Sequence, residues 1–403
     1  MKQFEKPIPQ EVLNITEKKR SNLFSWRGQF SPQLVEAIFE AYCLPDSIVL
    51  DPFSGSGTVL LEAVDFSVEA YGVEINPAAW ILSKTYEFIN IADRRNTINQ
   101  VQQYLNHEFP FQILTDTDKL VENFEEKVNQ IKNILNEDAE ILFNALIILL
   151  DVAKNKITNN FVQSKFFELA RTINDLPLSK NKIKALLSDC RCIPLPDNKI
   201  DFVITSPPYI NVFNYHQNYR TSAEILGWDL LKIAKSEIGA NRANRANRFY
   251  TVVQYCLDIA EALKEISRVS QKDARIIFVV GYESKVLGVP FYNADIIERI
   301  AVKSGMYAKA LRQKRKFKNK FGKIIREDLI NLYNLKFECT REYIDDIARE
   351  VANNVLKAGI NVVSQKDLEL LENAIEKVRV IKNTPKLDQI EYIYQLQKAI
   401  LWK

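Results

Sequence analysis

Only two histidines, His107 and His216, and five cysteines occur among the 403 residues. Two histidines make no His cluster. The cysteines (Cys43, Cys190, Cys192, Cys256, Cys339) offer one close pair, Cys190-Arg-Cys192, tighter than the Cys-x2-4-Cys spacing usual at zinc. No metal is therefore expected, and the cysteines read as small buried hydrophobes in a reducing compartment. Long apolar runs are also lacking: residues 141–150 form the longest, interrupted by Asn144 and too short to cross a bilayer. The first 20 residues are polar and charged, with no apolar core of a signal peptide. A soluble, cytoplasmic chain with no membrane partner is the expectation. Nor is there a marked charge excess: 54 Lys and Arg face 51 Asp and Glu, for a net +3. Taken alone, that argues against a protein that grips nucleic acid over its whole surface. A composition of 47% hydrophobic and 26% charged residues excludes wholesale disorder, collagen and a disulfide scaffold. The length suggests two or three domains, or one large domain with insertions.

The total charge hides a local excess. Residues 309–326 contain nine basic side chains and no acid, so subtracting nine from +3 leaves the rest of the chain at −6. Nine like charges repel one another unless an anion offsets them, which favours a functional basic loop over a merely solvated one.

Strand and helix signals alternate through most of the chain. Ser31-Pro32 opens a helix over residues 33–42. Residues 47–50 and 69–75 read as buried strands, with helices over 59–66 and 78–91. Residues 96–184 carry Leu, Ile, Asn, Lys and Glu at helical spacing, with 12 acidic and 10 basic residues. They read as a helical insertion, a structural cap or partner surface. Strand signals resume at 200–205, 275–280, 307–311 and 327–337, with helices at 249–269 and 294–304; the last two strands are expected to pair antiparallel around the basic loop. Residues 1–21 look like a loose arm and 341–403 like a helical tail. This order specifies parallel βαβ units. The expected divisions are 1–95, the insertion 96–184, the resumed α/β part 185–340, and 341–403.

Two motifs carry chemistry. Asp51-Pro-Phe-Ser-Gly-Ser-Gly-Thr58 links a strand to a helix, where glycines let the backbone approach a ligand. No Lys follows Gly57, so it is not a phosphate loop, and Leu60 replaces the third glycine of a dinucleotide fingerprint. An acid opens the loop and Glu74 ends the next strand, a place suited to ribose hydroxyls. S-adenosylmethionine, with a sulfonium and an ammonium, suits such an acidic loop. The second motif, Ser206-Pro-Pro-Tyr209, ends another strand. Two prolines remove two backbone donors and leave carbonyls free, the Ser206 hydroxyl adds another acceptor, and Tyr209 supplies a flat face. Acceptors aimed at the two hydrogens of a nucleobase amine would make its nitrogen more reactive and stabilise the positive charge that develops on it.

Together these motifs resemble the amino-group DNA methyltransferases, which use S-adenosylmethionine to methylate cytosine N4 or adenine N6. The resemblance covers roughly residues 24–91 and 186–337. It implies a Rossmann-like α/β fold: a mostly parallel seven-stranded sheet with an antiparallel last strand, here with a helical insertion and a helical C-terminal region. It implies that Phe30, Ser31 and Pro32 contact the methionine end of the cofactor. Asp51, Phe53, Gly55, Gly57 and Thr58 would form the cofactor loop, Glu74 the ribose acid, and Asp189 the acid near the adenine amine. Ser206, Pro207, Pro208 and Tyr209 would be catalytic. Ser in the first catalytic position is similar to the cytosine-N4 members. No cysteine follows a proline, which excludes the Pro-Cys nucleophile of the cytosine-C5 class.

The implied partner is double-stranded DNA, with a cognate restriction endonuclease as a further partner, and the target base would be flipped from the stack. Arg242, Arg245 and Arg248 recur every third residue among asparagines, side chains suited to base edges. Arg312, Lys314, Arg315, Lys316, Lys318, Lys320 and Lys323 suit phosphates. Asn214, Tyr215, His216 and Tyr219 are expected near the base pocket. Two alternatives stay open. RNA guanine-N2 methyltransferases share a similar loop and a Pro-Pro-Tyr motif, and a non-catalytic DNA-binding relative would retain the fold. A glutamine-methylating class favours Asn at the first catalytic position.

Overall fold

The computed structural model describes residues 6–15, 17, 19–26, 28–111, 119–210, 214–240, 244, 246–318 and 322–387. Helices α1 (Gln10–Asn14) and α2 (Pro32–Tyr42) precede β1 (Ile48–Asp51), α3 (Thr58–Asp65), β2 (Glu69–Glu74) and α4 (Pro77–Lys84). Four helices follow: α5 (Arg94–Glu108), α6 (Phe124–Lys132), α7 (Glu137–Leu150) and α8 (Asn159–Asn174). Then come β3 (Ile183–Leu187), β4 (Ile200–Thr205), α9 (Arg220–Ile225), α10 (Leu230–Ile233), α11 (Tyr250–Val269) and β5 (Ser270–Gly281). A small hairpin of β6 (Ser284–Val286) and β7 (Val289–Phe291) leads to α12 (Asn293–Lys303), β8 (Tyr307–Lys318) and β9 (Ile324–Asn334). Helices α13 (Arg341–Gly359) and α14 (Leu368–Glu376) complete it.

The seven-stranded sheet has the order β3-β2-β1-β4-β5-β9-β8. The β1, β2, β3, β4 and β5 pairings are parallel, whereas β9 runs antiparallel to both β5 and β8. This is the Rossmann-like methyltransferase fold expected from the sequence. Side chains alternate across it, as the two-residue period of a strand requires. Val49, Ala70, Phe202 and Ile204 face a core shared with α2–α4. Leu50, Tyr71, Val203 and Ile276 face the core beneath α11–α14. Because β1 pairs with both β2 and β4, the ends of all three strands lie together where the strand order reverses, the usual ligand crevice of such sheets.

Four sequence expectations change. The helical segment 96–184 overruns into β3, which pairs with β2 from Ala70 opposite Ile183 to Glu74 opposite Leu187. Lys182 and Lys184 flank Ile183 on this edge strand, so its apolar run is too short to stand out. Helix α4 stops at Lys84, and a 3-10 turn over Thr85–Asn90 replaces its expected last turns. The basic stretch is not a loop: most of it is β8, paired along its length with β9. Finally, part of the loose arm is docked. The Ile8 N–H donates to Gln313 Oε1 (3.0 Å), the Gln10 amide donates to the Lys314 carbonyl (2.8 Å), and Leu13 is buried. The arm thereby covers part of the free edge of β8, an edge that would otherwise invite pairing with another chain.

Helices α5–α8 are not a separate cap on the sheet. Val101, Leu105, Leu146 and Phe166 are buried in one apolar cluster with Val49 and Phe202. Deleting a buried leucine in such a core costs about 2–5 kcal/mol. We expect Leu146→Ala to lower stability by that amount within the single transition that Ile204→Ala also lowers. Chemical denaturation checks this, and a separate early transition for Leu146→Ala would show that the insertion melts on its own.

Candidate active site

Three adjacent strand ends build the site. Asp51 ends β1, almost wholly buried, and its Oδ1 accepts from the Thr205 hydroxyl at the end of β4 (2.6 Å) and from the Phe53 N–H (3.1 Å). Glu74 ends β2. Its Oε2 accepts from the Gly55 N–H and its Oε1 from the Asn76 N–H, each at 2.8 Å. The glycine-rich loop is thus folded back onto the neighbouring strand by the acid that ends it. Burial pushes both carboxyls up, each to about 7, with the backbone and hydroxyl donors pulling the other way.

The loop borders a cavity of about 830 Å³, counting its solvent-open mouth. Of the residues expected at the cofactor, Phe30, Asp51, Phe53, Gly55, Thr58, Glu74 and Asp189 line it. Ser31 instead precedes α2 without a capping side-chain bond, Pro32 begins that helix, and Gly57 precedes α3; none of the three is on the wall. From the second motif, Ser206 and Pro208 reach the same cavity. Pro207 is buried and Tyr209 stands beside the cavity, its hydroxyl 3.4 Å from Ser206 Oγ. The Tyr209 ring lies over Gly281 at the end of β5, where a Cβ would come within 2.9 Å of it.

Asp189 is already committed to Arg191. Its Oδ1 accepts from the Arg191 Nε and backbone N–H (both 2.9 Å), and its Oδ2 from Nη2 (2.6 Å). The Arg191 side chain is fully buried and also reaches Asp258 (2.8 Å) and the Thr384 carbonyl (2.9 Å). A segment distant in sequence therefore sets the orientation of this wall acid.

The basic residues divide into two groups. Arg312 lies 2.5 Å from Asp295 and 3.3 Å from Asp328, and Lys309 lies 2.6 Å from Glu298. Arg315 is buried, 3.3 Å from Glu327, with its guanidinium over Phe317, and burial holds its pKa below the usual value. The expected phosphate-binding loop is thus in part an internal ion-pair network. Lys314, Lys316 and Lys318 are exposed at alternate positions of β8, and Lys323 is exposed beyond it. Arg248 is half-buried, while Arg242, Arg245 and Lys320 lie outside the described residues. His216 is buried against Glu237 (Nδ1 to Oε2, 2.9 Å) rather than open to the site. Tyr215 lines the cavity, Asn214 is exposed, and Tyr219 stacks on Trp26.

Sequence reasoning missed Trp26, Gln29, Ser236 and Glu237 on the cavity wall. Trp26 and Gln29 flank or lie within the Arg27-Gly-Gln-Phe-Ser-Pro32 motif and could have been read from it. Glu237 has no local signal, since its burial depends on His216. Ser54 Oγ, Ser236 Oγ and Glu237 Oε1 are buried, belong to wall residues, and have no hydrogen-bond partner among the described residues. Acidic and hydroxyl acceptors beside Trp26, Phe30 and Phe53 fit S-adenosylmethionine, which presents ribose hydroxyls, amines, a sulfonium and an adenine face.

A cavity of this make-up at the reversal point of this sheet suits S-adenosylmethionine as its ligand. Residues 5–85 match the family model of N6 and N4 methyltransferases described as DNA methylase. The Type II methyltransferase M.BsoBI of Geobacillus stearothermophilus is 26% identical over 286 residues, covering 55% of this chain and 56% of that protein. M.AvaI of Nostoc sp. is 22% identical over 316 residues, covering 64% and 65%. M.MvaI of Kocuria varians is 24% identical over 333 residues, covering 61% and 72%. In these matches the chain is similar to amino-group DNA methyltransferases. It spans less than two thirds of the length of M.BsoBI and M.AvaI.

The raised carboxyls set a pH dependence. An acid whose folded value, about 7, exceeds the 3.8 of a free Asp binds an extra proton in the folded state between those limits. Folding is then progressively disfavoured as pH rises from about 4 to 7. We expect Asp51→Asn, which keeps an acceptor for Thr205, to match wild-type stability near pH 4. Above pH 7 it should gain on the order of a few kcal/mol. Thermal melts across this range check it, and a pH-independent difference would contradict it.

Proposed function

We propose that this chain transfers a methyl group from S-adenosylmethionine to the exocyclic amine of a DNA base, cytosine N4 in preference to adenine N6. The base is rotated out of the duplex, and the chain acts as the modifying partner in a restriction-modification system. The observation that carries the reading is that Ser206 and Pro208 open into the same cavity as Asp51 and Glu74. An acceptor cluster for an amine and an acidic cofactor cradle therefore share one space. The cofactor, when bound, supplies the electrophilic methyl group.

The residues divide the work. Phe30, Phe53, Gly55 and Thr58 hold the methionine and nucleoside parts between them, with Ser31, Pro32 and Gly57 shaping that wall from behind. Asp51 and Glu74 accept hydrogen bonds from donors on the ligand, and Asp189 completes the adenine end. The Ser206 hydroxyl and the carbonyls beside Pro207 and Pro208 accept from the target amine and stabilise the charge it gains. Tyr209, braced on Gly281, positions the target ring. Its phenol is held well above the ordinary value by burial and by Glu327, so it remains a neutral donor. The exposed Lys314, Lys316, Lys318 and Lys323, together with Lys320, meet the phosphates. Arg312 and Arg315 shape that strand from within, and Arg242, Arg245 and Arg248 face base edges. Serine at position 206 supports the cytosine preference, and the likeness to Type II methyltransferases supports the restriction-modification setting.

Mass spectrometry of nucleosides from DNA incubated with the protein and S-adenosylmethionine should show N4-methylcytosine. N6-methyladenine would reverse the base preference, and neither product on DNA of varied sequence would contradict the reading. Tyr209→Ala should bind the cofactor normally and lose at least about tenfold in turnover. Unchanged turnover would remove Tyr209 from the target site.

A further inference from the structure

Ser236, Glu237 and Ile238 also line the cavity, and with Gly239 they form a short segment that no cofactor motif includes. It is held on three sides. Arg191 Nη2 donates to the Ser236 carbonyl (3.3 Å) while also gripping Asp189. His216 Nδ1 meets Glu237 Oε2 at 2.9 Å. Gly239, at φ +74°, packs so closely on the Tyr209 backbone that a Cβ would lie 2.7 Å from its carbonyl oxygen. The segment is therefore built against both the adenine-side acid and the catalytic motif.

Glu237 is the unusual member of that segment. Its side chain is 5% exposed, it lines the cavity, and its Oε1 has no hydrogen-bond partner among the described residues. A buried carboxylate oxygen left without a donor costs free energy unless a ligand supplies one. Glu237 and Glu74 both line this cavity. A vicinal diol is a neutral group with two O–H donors side by side, and it matches two acceptors so placed. The α-ammonium end is matched instead by Asp51 beside the loop.

We propose that Glu237, positioned by His216, is a further cofactor-binding residue that accepts a hydrogen bond from one ribose hydroxyl while Glu74 accepts from the other. This rests on the cofactor reading above and extends it to a residue outside the known motifs. Glu237 then fixes the sugar, and through Gly239 and Tyr209 it couples sugar binding to the geometry of the target site.

Titration calorimetry with 5′-methylthioadenosine and its 2′,3′-dideoxy analogue tests this without requiring turnover. Wild-type protein should prefer the ribonucleoside. Glu237→Ala should weaken methylthioadenosine by about tenfold or more, since hydrogen bonds to charged groups are the strong ones. Affinity for the dideoxy analogue should stay within about twofold. Glu237→Gln, which keeps the shape and one acceptor, should lose less, and it guards against a folding defect in the alanine variant. Equal weakening of both nucleosides, or no weakening of either, overturns the proposal while leaving the cofactor reading intact. A wild-type protein that binds neither nucleoside nor S-adenosylmethionine overturns both.

Discussion

A 2.6 Å hydrogen bond from the Thr205 hydroxyl to the Asp51 carboxylate ties together the two strand ends on which the site depends. β1 carries the glycine-rich loop and β4 carries Ser-Pro-Pro-Tyr. Parallel pairing aligns them, and this bond brings their last residues into contact away from water. Because Asp51 is buried, the bond is made where an unpaired carboxylate would be expensive. Glu74 does the same on the other side by taking the Gly55 and Asn76 N–H groups. The loop is thereby clamped between two acids, and residues of the glycine-rich loop and of Ser-Pro-Pro-Tyr line one cavity.

The rest of the chain supports that arrangement from a distance. Arg191 links Asp189 to Asp258, to Ser236 and to Thr384 near the end of the described chain. The C-terminal segment thus braces the cavity wall rather than standing as an appendix. The insertion helices share a core with the first half of the sheet and stiffen the side carrying the glycine-rich loop. The docked N-terminal arm and the ion pairs of β8 stabilise a charged edge strand. Its exposed lysines alternate along the strand and leave one face available to an anion.

How far the sequence could be read follows from where each signal resides. β1, β2 and β4 are runs of buried apolar residues ending in distinctive motifs, so their existence and order were legible, and so were Asp51, Glu74 and Ser206. β3 was not, because an edge strand with lysines on its wet face has no long apolar run. The basic stretch reads as a loop because a charged strand becomes legible only once its neutralising acids are known. Asp295 and Glu298 lie on α12, and Glu327 and Asp328 on β9. Asp189 lines the cavity, but its capture by Arg191 is a tertiary fact that no local pattern shows. Glu237 is the same kind of case: nothing around a lone acid in a polar segment announces that a histidine 21 residues earlier will bury it.

The proposed reaction depends on one cavity holding the cofactor with its reactive end turned toward Ser206. A crystal structure with sinefungin, whose amine stands where the methyl group would be, tests it most directly. We expect the ribose hydroxyls against Glu74 and Glu237, the amino-acid end near Asp51 and Phe30, and the amine pointing at Ser206 and Pro208. Sinefungin bound elsewhere, or seated with its amine turned away from Ser206, would contradict the shared-cavity arrangement.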